Sequence, residues 1–302
     1  MPKITTPEIP GWFRWVDQQL FRAILADQGE AAPGDVVELG TYLGKSAVLI
    51  GEYIRPEERF VALDLFGRTD LLEDAHGANR QEVDKSYRTL TRTKFEENYL
   101  SQHDQLPDIV EGPSSLIVEH VAPGSVRFCH IDASHLYEHV SVDAHNAKAI
   151  LRPGGVVVFD DWRSEHTPGV TAAVWESVFC DGLIPVVVTP TKLYGVFSDP
   201  EPLRRSADRV LAGSADFWGG SEEIAGHEVL RMRLKDKPKP PPAPPVDYAR
   251  VEAAMSRALD ERLGRWSGSM TTAMSAQLRR ATIDASTITR VRRWMRGLTR
   301  SA

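Results

Sequence analysis

Acidic side chains recur in this chain of 302 residues at one kind of position, the end of a short apolar run. Glu38 follows Val36-Val37, Asp64 closes Phe60-Val-Ala-Leu-Asp64, Glu111 closes Asp108-Ile-Val-Glu111, Asp132 ends the run from Val126, and Asp160-Asp161 end the run from Val156. Such runs read as buried strands, and ligands of an open α/β sheet sit beyond the carboxyl ends of its strands. Asp132, Asp160 and Asp161 on neighbouring strand ends would repel one another unless a cation lies between them. An all-oxygen set suits a hard ion such as Mg²⁺. In the competing reading one of these Asp residues caps a helix and another pairs with an Arg such as Arg163. His135 lies three positions past Asp132, where an imidazole can take a hydroxyl proton near neutral pH; capping or support of a neighbour is its other reading. His130 falls inside a strand and is expected to pack or hydrogen-bond. His139 and His145 fall on the next helix as structural residues, and His166 falls on the loop after the acidic pair, toward an acceptor pocket.

The segment Asp35-Val-Val-Glu-Leu-Gly-Thr-Tyr-Leu-Gly-Lys-Ser46 specifies the ligand class further. It reads as strand, glycine turn and helix, a unit that lets a ligand approach the backbone closely. The spacing Glu38-x-Gly40-x-x-x-Gly44 is not the Gly-x-Gly-x-x-Gly of dinucleotide sites, and Glu38 would repel a phosphate. Gly44-Lys45-Ser46 is not a P-loop either, because Leu39 stands where that motif needs glycine. A carboxylate beside a glycine turn suits a cationic or hydroxyl-rich ligand. Asp64, at the end of the second strand, is placed to accept both ribose hydroxyls of a nucleoside. Ser114 and Ser115, in Glu111-Gly-Pro-Ser-Ser115, can cap the following helix.

Glu38-x-Gly40-x-x-x-Gly44 resembles motif I of class I S-adenosylmethionine-dependent methyltransferases. His130-Ile-Asp-Ala-Ser-His-Leu-Tyr-Glu-His-Val140 with Leu151-Arg-Pro-Gly-Gly-Val-Val-Val-Phe-Asp-Asp-Trp162 resembles the group containing macrocin O-methyltransferase. The resemblance covers roughly residues 34–200. It implies S-adenosylmethionine held by Glu38, Gly40, Thr41, Gly44, Ser46, Asp64, Ser114, Ser115 and Asp132. It also implies Mg²⁺ on Asp132, Asp160 and Asp161, and O-methylation of a small sugar-like or natural-product acceptor, with Asp132 and His135 as catalytic residues. One departure stands out: some relatives carry a second Asp two residues after the first, and this chain has Ser134 there.

The elements that must position these groups are strands at Val36–Leu39, Phe60–Asp64, Asp108–Glu111, Val126–Asp132, Val156–Asp160, Ile184–Thr189 and Leu193–Ser198, mostly separated by helical patterns. Trp12 to Gln28 has helical apolar spacing, as has a segment around Tyr87–Tyr99. Alternation of this kind predicts an α/β fold with helices on both faces of a mostly parallel, Rossmann-like, seven-stranded methyltransferase sheet. The tight Pro190-Thr-Lys192 connection makes one of its strands antiparallel. Arg204–Leu211 reads as a helix and His227–Leu234 as a short strand. The expected organisation is a methyltransferase domain over 1–236, a proline-rich linker over 237–246 and a basic amphipathic helical tail over 247–302. Six prolines in Lys237–Pro245 make the linker stiff.

Composition is that of a water-soluble globular protein, 42% hydrophobic and 26% charged. No apolar run is long enough to span a bilayer, and the two cysteines fit a reduced compartment, so a cytoplasmic location is expected. The net charge of −6 hides a tail with eleven Arg against five acids, leaving the body at −12. Nucleic acid is therefore not an expected partner of the body. The tail is expected to meet a protein or an anionic membrane surface, or to lie solvated over apolar surface, and the protein is expected to form a homo-oligomer. A rival reading is a methyltransferase-fold interaction protein with little catalysis, tethered through that tail.

Overall fold

The structure is a computed structural model, and it describes residues 9–71 and 90–235. These belong to the first of two units, Met1–Asp236; the linker and tail, in the second unit from Lys237, and residues 87–89 of the helix expected near Tyr87–Tyr99 lie outside the described residues.

The strands are β1 (Asp35–Leu39), β2 (Phe60–Asp64), β3 (Asp108–Glu111), β4 (Val126–Ile131), β5 (Leu151–Phe159), β6 (Ile184–Val188), β7 (Leu193–Val196), β8 (Phe217–Ile224) and β9 (His227–Leu234). The helices are α1 (Trp15–Gly29), α2 (Lys45–Gly51), α3 (Arg92–Leu100), α4 (Ile117–His120), α5 (Tyr137–Ile150), α6 (Pro168–Cys180) and α7 (Glu201–Gly213). They build one sheet in the order β3-β2-β1-β4-β5-β7-β6-β9-β8. β7 runs against both β5 and β6, so it is the reversed strand among the seven that were expected.

The sheet is wider than expected, because β9 pairs in parallel with β6 and carries β8 as an antiparallel edge. The β8–β9 turn at Ala225-Gly226 has φ of 53° and 77°, the two positive values that a tight primed hairpin turn needs. Gly219-Gly220 and Glu222-Glu223 deprive β8 of an apolar alternation, so it is not readable as a strand on its own.

Period-two alternation splits the core into two layers. Val36, Phe60, Ala62, Phe128 and Val158 face one way, against Leu20, Phe21 and Ile24 of α1 and Val48 and Leu49 of α2. Val37, Leu39, Val61, Cys129 and Val157 face the other way, against Val140 and Ala144 of α5 and Ala173 and Val174 of α6. Each layer thus gives the strands a dry face, and their carboxyl ends are left to carry polar groups.

Register decides which polar groups meet. Glu38 lies opposite His130 across β1 and β4, and Asp64 lies opposite Glu111 across β2 and β3. Phe159 lies opposite Leu193 across the antiparallel β5 and β7, so the next residue of one strand, Asp160, faces the preceding residue of the other, Lys192.

Candidate active site

A cavity of about 870 Å³ opens at the carboxyl ends of β1, β2, β4 and β5. Gly40, Thr41, Ser46, Asp64, Ser114, Ser115, Asp132, His135, Asp160 and Asp161, all expected from sequence, line it, as do His139 and His166. The space suits a cofactor and part of a small acceptor. Trp12, 80% exposed, stands at its margin with its ring centroid 5.9 Å from that of Tyr42. Trp12 thus lies ahead of the first helix, which the apolar spacing had placed it in.

The loop after β1 is fixed from below. Gly40 has φ +81°, and a Cβ there would lie 2.1 Å from the Asp132 carbonyl oxygen, so this glycine lets β1 and β4 approach at their ends. Gly44, with φ +89°, starts α2 but does not line the cavity. Asp64 Oδ2 accepts the N–H groups of Thr41 at 2.7 Å and Tyr42 at 2.9 Å, and Oδ1 accepts the N–H of Phe66 at 2.8 Å. Burial raises the Asp64 pKa in spite of these bonds. Asp64, expected to accept ribose hydroxyls, thus also fixes the loop, and Oδ1 retains room for a hydroxyl at the cavity. Tyr42, Phe66 and Asp161 all have positive φ, near 50°, a concentration of strained backbone around one site.

Glu38 does not touch the cavity. It is fully buried behind it, with Oε1 against His130 Nδ1 at 2.8 Å and Oε2 without a partner. His130 Nε2 lies 2.9 Å from Lys192 Nζ, and Lys192 Nζ lies 2.6 Å from Asp160 Oδ2. An ammonium only donates, so Nε2 must accept and Nδ1–H must donate to Glu38. His130 is held neutral, because burial and the charge of Lys192 both lower its pKa. Burial would likewise lower Lys192, but Asp160, Asp132 and Asp17 raise it above its ordinary value. The rings of Phe13 and Phe21 lie within 5.7 and 6.0 Å of the Lys192 ammonium.

Lys192 is the site residue that sequence reasoning missed. The Pro190-Thr191 turn holds it, with Thr189 Oγ1 accepting the Lys192 N–H at 2.9 Å and Trp162 N–H donating to the Thr191 carbonyl at 3.3 Å. Asp17 was missed as well. It sits on the buried face of α1 and accepts from the Tyr194 hydroxyl at 2.8 Å.

The three expected metal ligands are divided by this arrangement. Burial alone would raise Asp160, yet Lys192 lowers it below the usual carboxylate range. Asp132 is raised well above that range by burial and the charge of Asp160, as expected of two carboxyls sharing a proton. Asp160, expected as a Mg²⁺ ligand, pairs with Lys192 through Oδ2 and also lines the cavity. Two sets along the cavity bring candidate ligand atoms within 4.8 Å of one another: His130, Asp132 and Asp160, whose Asp160 is engaged by Lys192, and Asp132, His135 and Asp161. The second set fits a divalent ion that accepts imidazole better than it fits Mg²⁺.

The same set works as a proton acceptor. Asp161 Oδ1 accepts the Ser164 hydroxyl at 2.6 Å, which leaves Oδ2 facing His135 Nε2 at 3.5 Å. His166 stands edge-on to His135 with centroids 6.1 Å apart. Ser134, at the position of the missing second Asp, bonds the His139 ring at 2.9 Å and receives the Leu136 N–H. His145 bonds the Ser141 carbonyl on its own helix, as expected of a structural residue.

After β3, Pro113 precedes a single helical turn at Ser114–Leu116, and neither serine side chain caps it or α4. The choice between capping and facing the cavity falls to the cavity. Glu111 does not line it; it pairs with Arg68 at 2.8 Å on the surface.

Residues 37–162 match a family model described as a methyltransferase domain. No curated protein matches the sequence. Among solved structures, the O-methyltransferase NovP is 19% identical over 61% of this chain and 81% of its own, with a TM-score of 0.47. CalS11, a calicheamicin methyltransferase, is 19% identical over 61% and 79%, with a TM-score of 0.44. An O-methyltransferase from Bacillus cereus in complex with SAH is 15% identical over 74% and 82%, with a TM-score of 0.32.

Proposed function

We propose that this chain is a class I S-adenosylmethionine-dependent O-methyltransferase acting on a small hydroxylated acceptor, with His135 as the base, a reading supported by the match of residues 37–162 to a methyltransferase domain. The observation that carries this reading is the His135–Asp161 pair at 3.5 Å, open to the cavity and oriented by Ser164. The acceptor hydroxyl attacks the sulfonium methyl in line. An O–C bond forms as the S–C bond breaks, and the hydroxyl proton passes to His135 Nδ1, since Nε2 is the nitrogen that faces Asp161. Asp161 holds the ring in place and favours the imidazolium that results. S-Adenosylhomocysteine leaves as a neutral thioether. The methionine end of the cofactor rests on the loop of Gly40, Thr41 and Ser46, the ribose on the free capacity of Asp64, and the base near Ser114 and Ser115. The acidic cavity favours the cationic sulfonium over the neutral product.

A second, metal-assisted reading is favoured by the convergence of Asp132, His135 and Asp161. These residues would hold the ion, and such an ion would lower the pKa of the acceptor hydroxyl. The two readings assign His135 different duties. Transfer of labelled methyl from S-adenosylmethionine to a panel of sugar and phenolic acceptors tests both. His135→Gln is expected to lower turnover by about 10²–10⁴-fold, and excess chelator is expected to leave the wild type unchanged. Loss of turnover on chelation, restored by added metal, would replace the base with the metal site.

A further inference from the structure

The rim of the cavity differs in charge from its floor. The floor carries Asp64, Asp132, Asp160 and Asp161, each engaged with another group of the fold. At the rim, the segment Gly11-Trp-Phe-Arg14 packs on the loop after β1. A Cβ on Gly11 would lie 3.4 Å from Lys45 Cβ and 3.7 Å from the Tyr42 ring. Lys45 Nζ donates to the Gly11 carbonyl at 3.0 Å, which spends one of its three N–H donors. Phe13 turns inward, with its ring beside the Lys192 ammonium. Its neighbours Trp12 and Arg14 are exposed and line the cavity. The Arg14 backbone is extended and its guanidinium has no hydrogen bond or ion pair among the described residues. An aromatic face and two cations with donors to spare thus converge at one end of a cavity whose other charges are mostly acidic.

We propose that this rim anchors the methyl acceptor: a ring of the acceptor lies on Trp12 beside Tyr42, and an anionic group on it, a carboxylate or a phosphate, is held by Arg14 and Lys45. This anchoring site rests on the methyltransferase reading given above and narrows its acceptor to an acidic hydroxylated ring compound. A guanidinium fork matches two oxygens of either anion, and pockets of this kind combine aromatic walls with a few placed polar groups. The position suits the transfer. From the rim the wall runs through Phe13, Lys192 and Asp160 toward Asp161 and His135, so an acceptor anchored there extends to the base. Charge also sets its direction. The acidic floor repels the anionic end while the rim attracts it, so the hydroxyl end is the one that enters.

The test uses three 4-nitrophenyl β-D-glucopyranosides that differ only at C6: the neutral glucoside, the glucuronide and the glucoside 6-phosphate. Each is titrated into the full-length protein saturated with S-adenosylhomocysteine, and quenching of tryptophan fluorescence by the nitrophenyl ring is read. At least one anionic probe is expected to bind about 10-fold tighter than the glucoside, and the tighter of the two identifies the anion as carboxylate or phosphate. Arg14→Gln is expected to bring that probe within about 3-fold of the glucoside, with S-adenosylhomocysteine binding changed by less than about twofold. Trp12→Ala is expected to weaken all three probes by about 5-fold. Both side chains are exposed, so neither change disturbs the core. Equal binding of the three probes, or binding of none, by a wild type that takes S-adenosylhomocysteine overturns the anchoring site alone. An undiminished anion preference in Arg14→Gln overturns it too. Weakened S-adenosylhomocysteine binding in Arg14→Gln also overturns it, because the cation would then serve the cofactor's own carboxylate. Failure of wild type to bind S-adenosylhomocysteine overturns the methyltransferase reading and the anchoring site with it.

Discussion

Two buried ion networks sit at opposite ends of the same strands, and they are built differently. At the amino ends, Glu58 receives Arg127 Nε at 2.8 Å and an Nη at 2.9 Å, Arg55 at 2.6 Å, and the Gly34 N–H at 3.0 Å. The remaining Arg127 donors reach the Tyr53 carbonyl and Gln28. At the carboxyl ends, the chain from Glu38 through His130 and Lys192 to Asp160 leaves Glu38 Oε2 without a partner. Its acid end borders the cavity beside Asp132, whose pKa burial and the Asp160 charge raise. The first network clamps the Glu58 carboxylate bidentately on Arg127, with Arg55 Nε alone left without a hydrogen-bond partner. The second carries mutually dependent charges beside strained backbone at Tyr42, Phe66 and Asp161. One end of the sheet holds the strands together, and the other holds reactive groups at some cost to itself.

The largest expected effect comes from opening the Glu58–Arg127 clamp. Glu58→Gln leaves the guanidinium of Arg127 buried without its counter-charge, and should cost about 3–5 kcal/mol in urea unfolding. Binding of S-adenosylhomocysteine by the folded variant should change less than about twofold, because independent sites do not couple. The same group controls acid stability. Burial would raise Glu58, but its Arg and N–H partners overcome that and hold its pKa at about 2, below the ordinary 4.5. A lowered folded value means that its contribution is complete above the ordinary pKa and is lost as pH falls from there toward 2. The acid-unfolding limb of wild type should therefore lie in that window, and Glu58→Gln should flatten it.

Breaking the second network should cost less stability and more function. Lys192→Met removes the cation beside Asp160, but Asp160 and Asp132 can take up protons at the cavity wall. The expected stability loss is about 1–3 kcal/mol. Turnover should fall at least tenfold, because the released carboxyls change the charge beside His135. A loss equal to that of Glu58→Gln, with turnover retained, would make the two networks alike and remove the contrast between the ends.

The smallest effect is expected from Glu38→Gln. Its amide oxygen can still accept from His130 Nδ1, and Oε2 has no bond to lose, so unfolding free energy should change by about 1 kcal/mol or less. A change above about 3 kcal/mol would show that the Glu38 charge is essential to the chain through His130 and Lys192.

How much of this was readable in the residues depends on how far apart the contacting groups are. Asp64, Asp132 and Asp160 end apolar runs, so a local pattern placed them at one edge of the sheet. Gly40 was readable as an obligatory glycine, though its reason is the close pass of Asp132 rather than a ligand. Lys192 enters the sequence reading only as the end of a tight connection; the antiparallel register of β5 against β7 is what brings it to Asp160. The signal that could have found it was the excess of strand-end carboxylates, which needs a compensating cation from somewhere in the fold. Asp17 is a polar residue in an amphipathic helix, and the face that buries it is set by tertiary packing. The β8–β9 extension was half legible: β9 carries Val229, Leu230 and Met232 into the core, whereas β8 is an edge strand with few inward side chains.

The most direct test of the whole account is whether the cavity at the carboxyl ends takes the cofactor product. Calorimetric titration of the wild-type chain with S-adenosylhomocysteine should give a one-to-one complex with a Kd in the micromolar range, and Asp64→Ala should weaken it at least tenfold. Absence of binding by a folded wild-type protein would contradict the account at its centre, leaving a methyltransferase-like sheet that serves some other end.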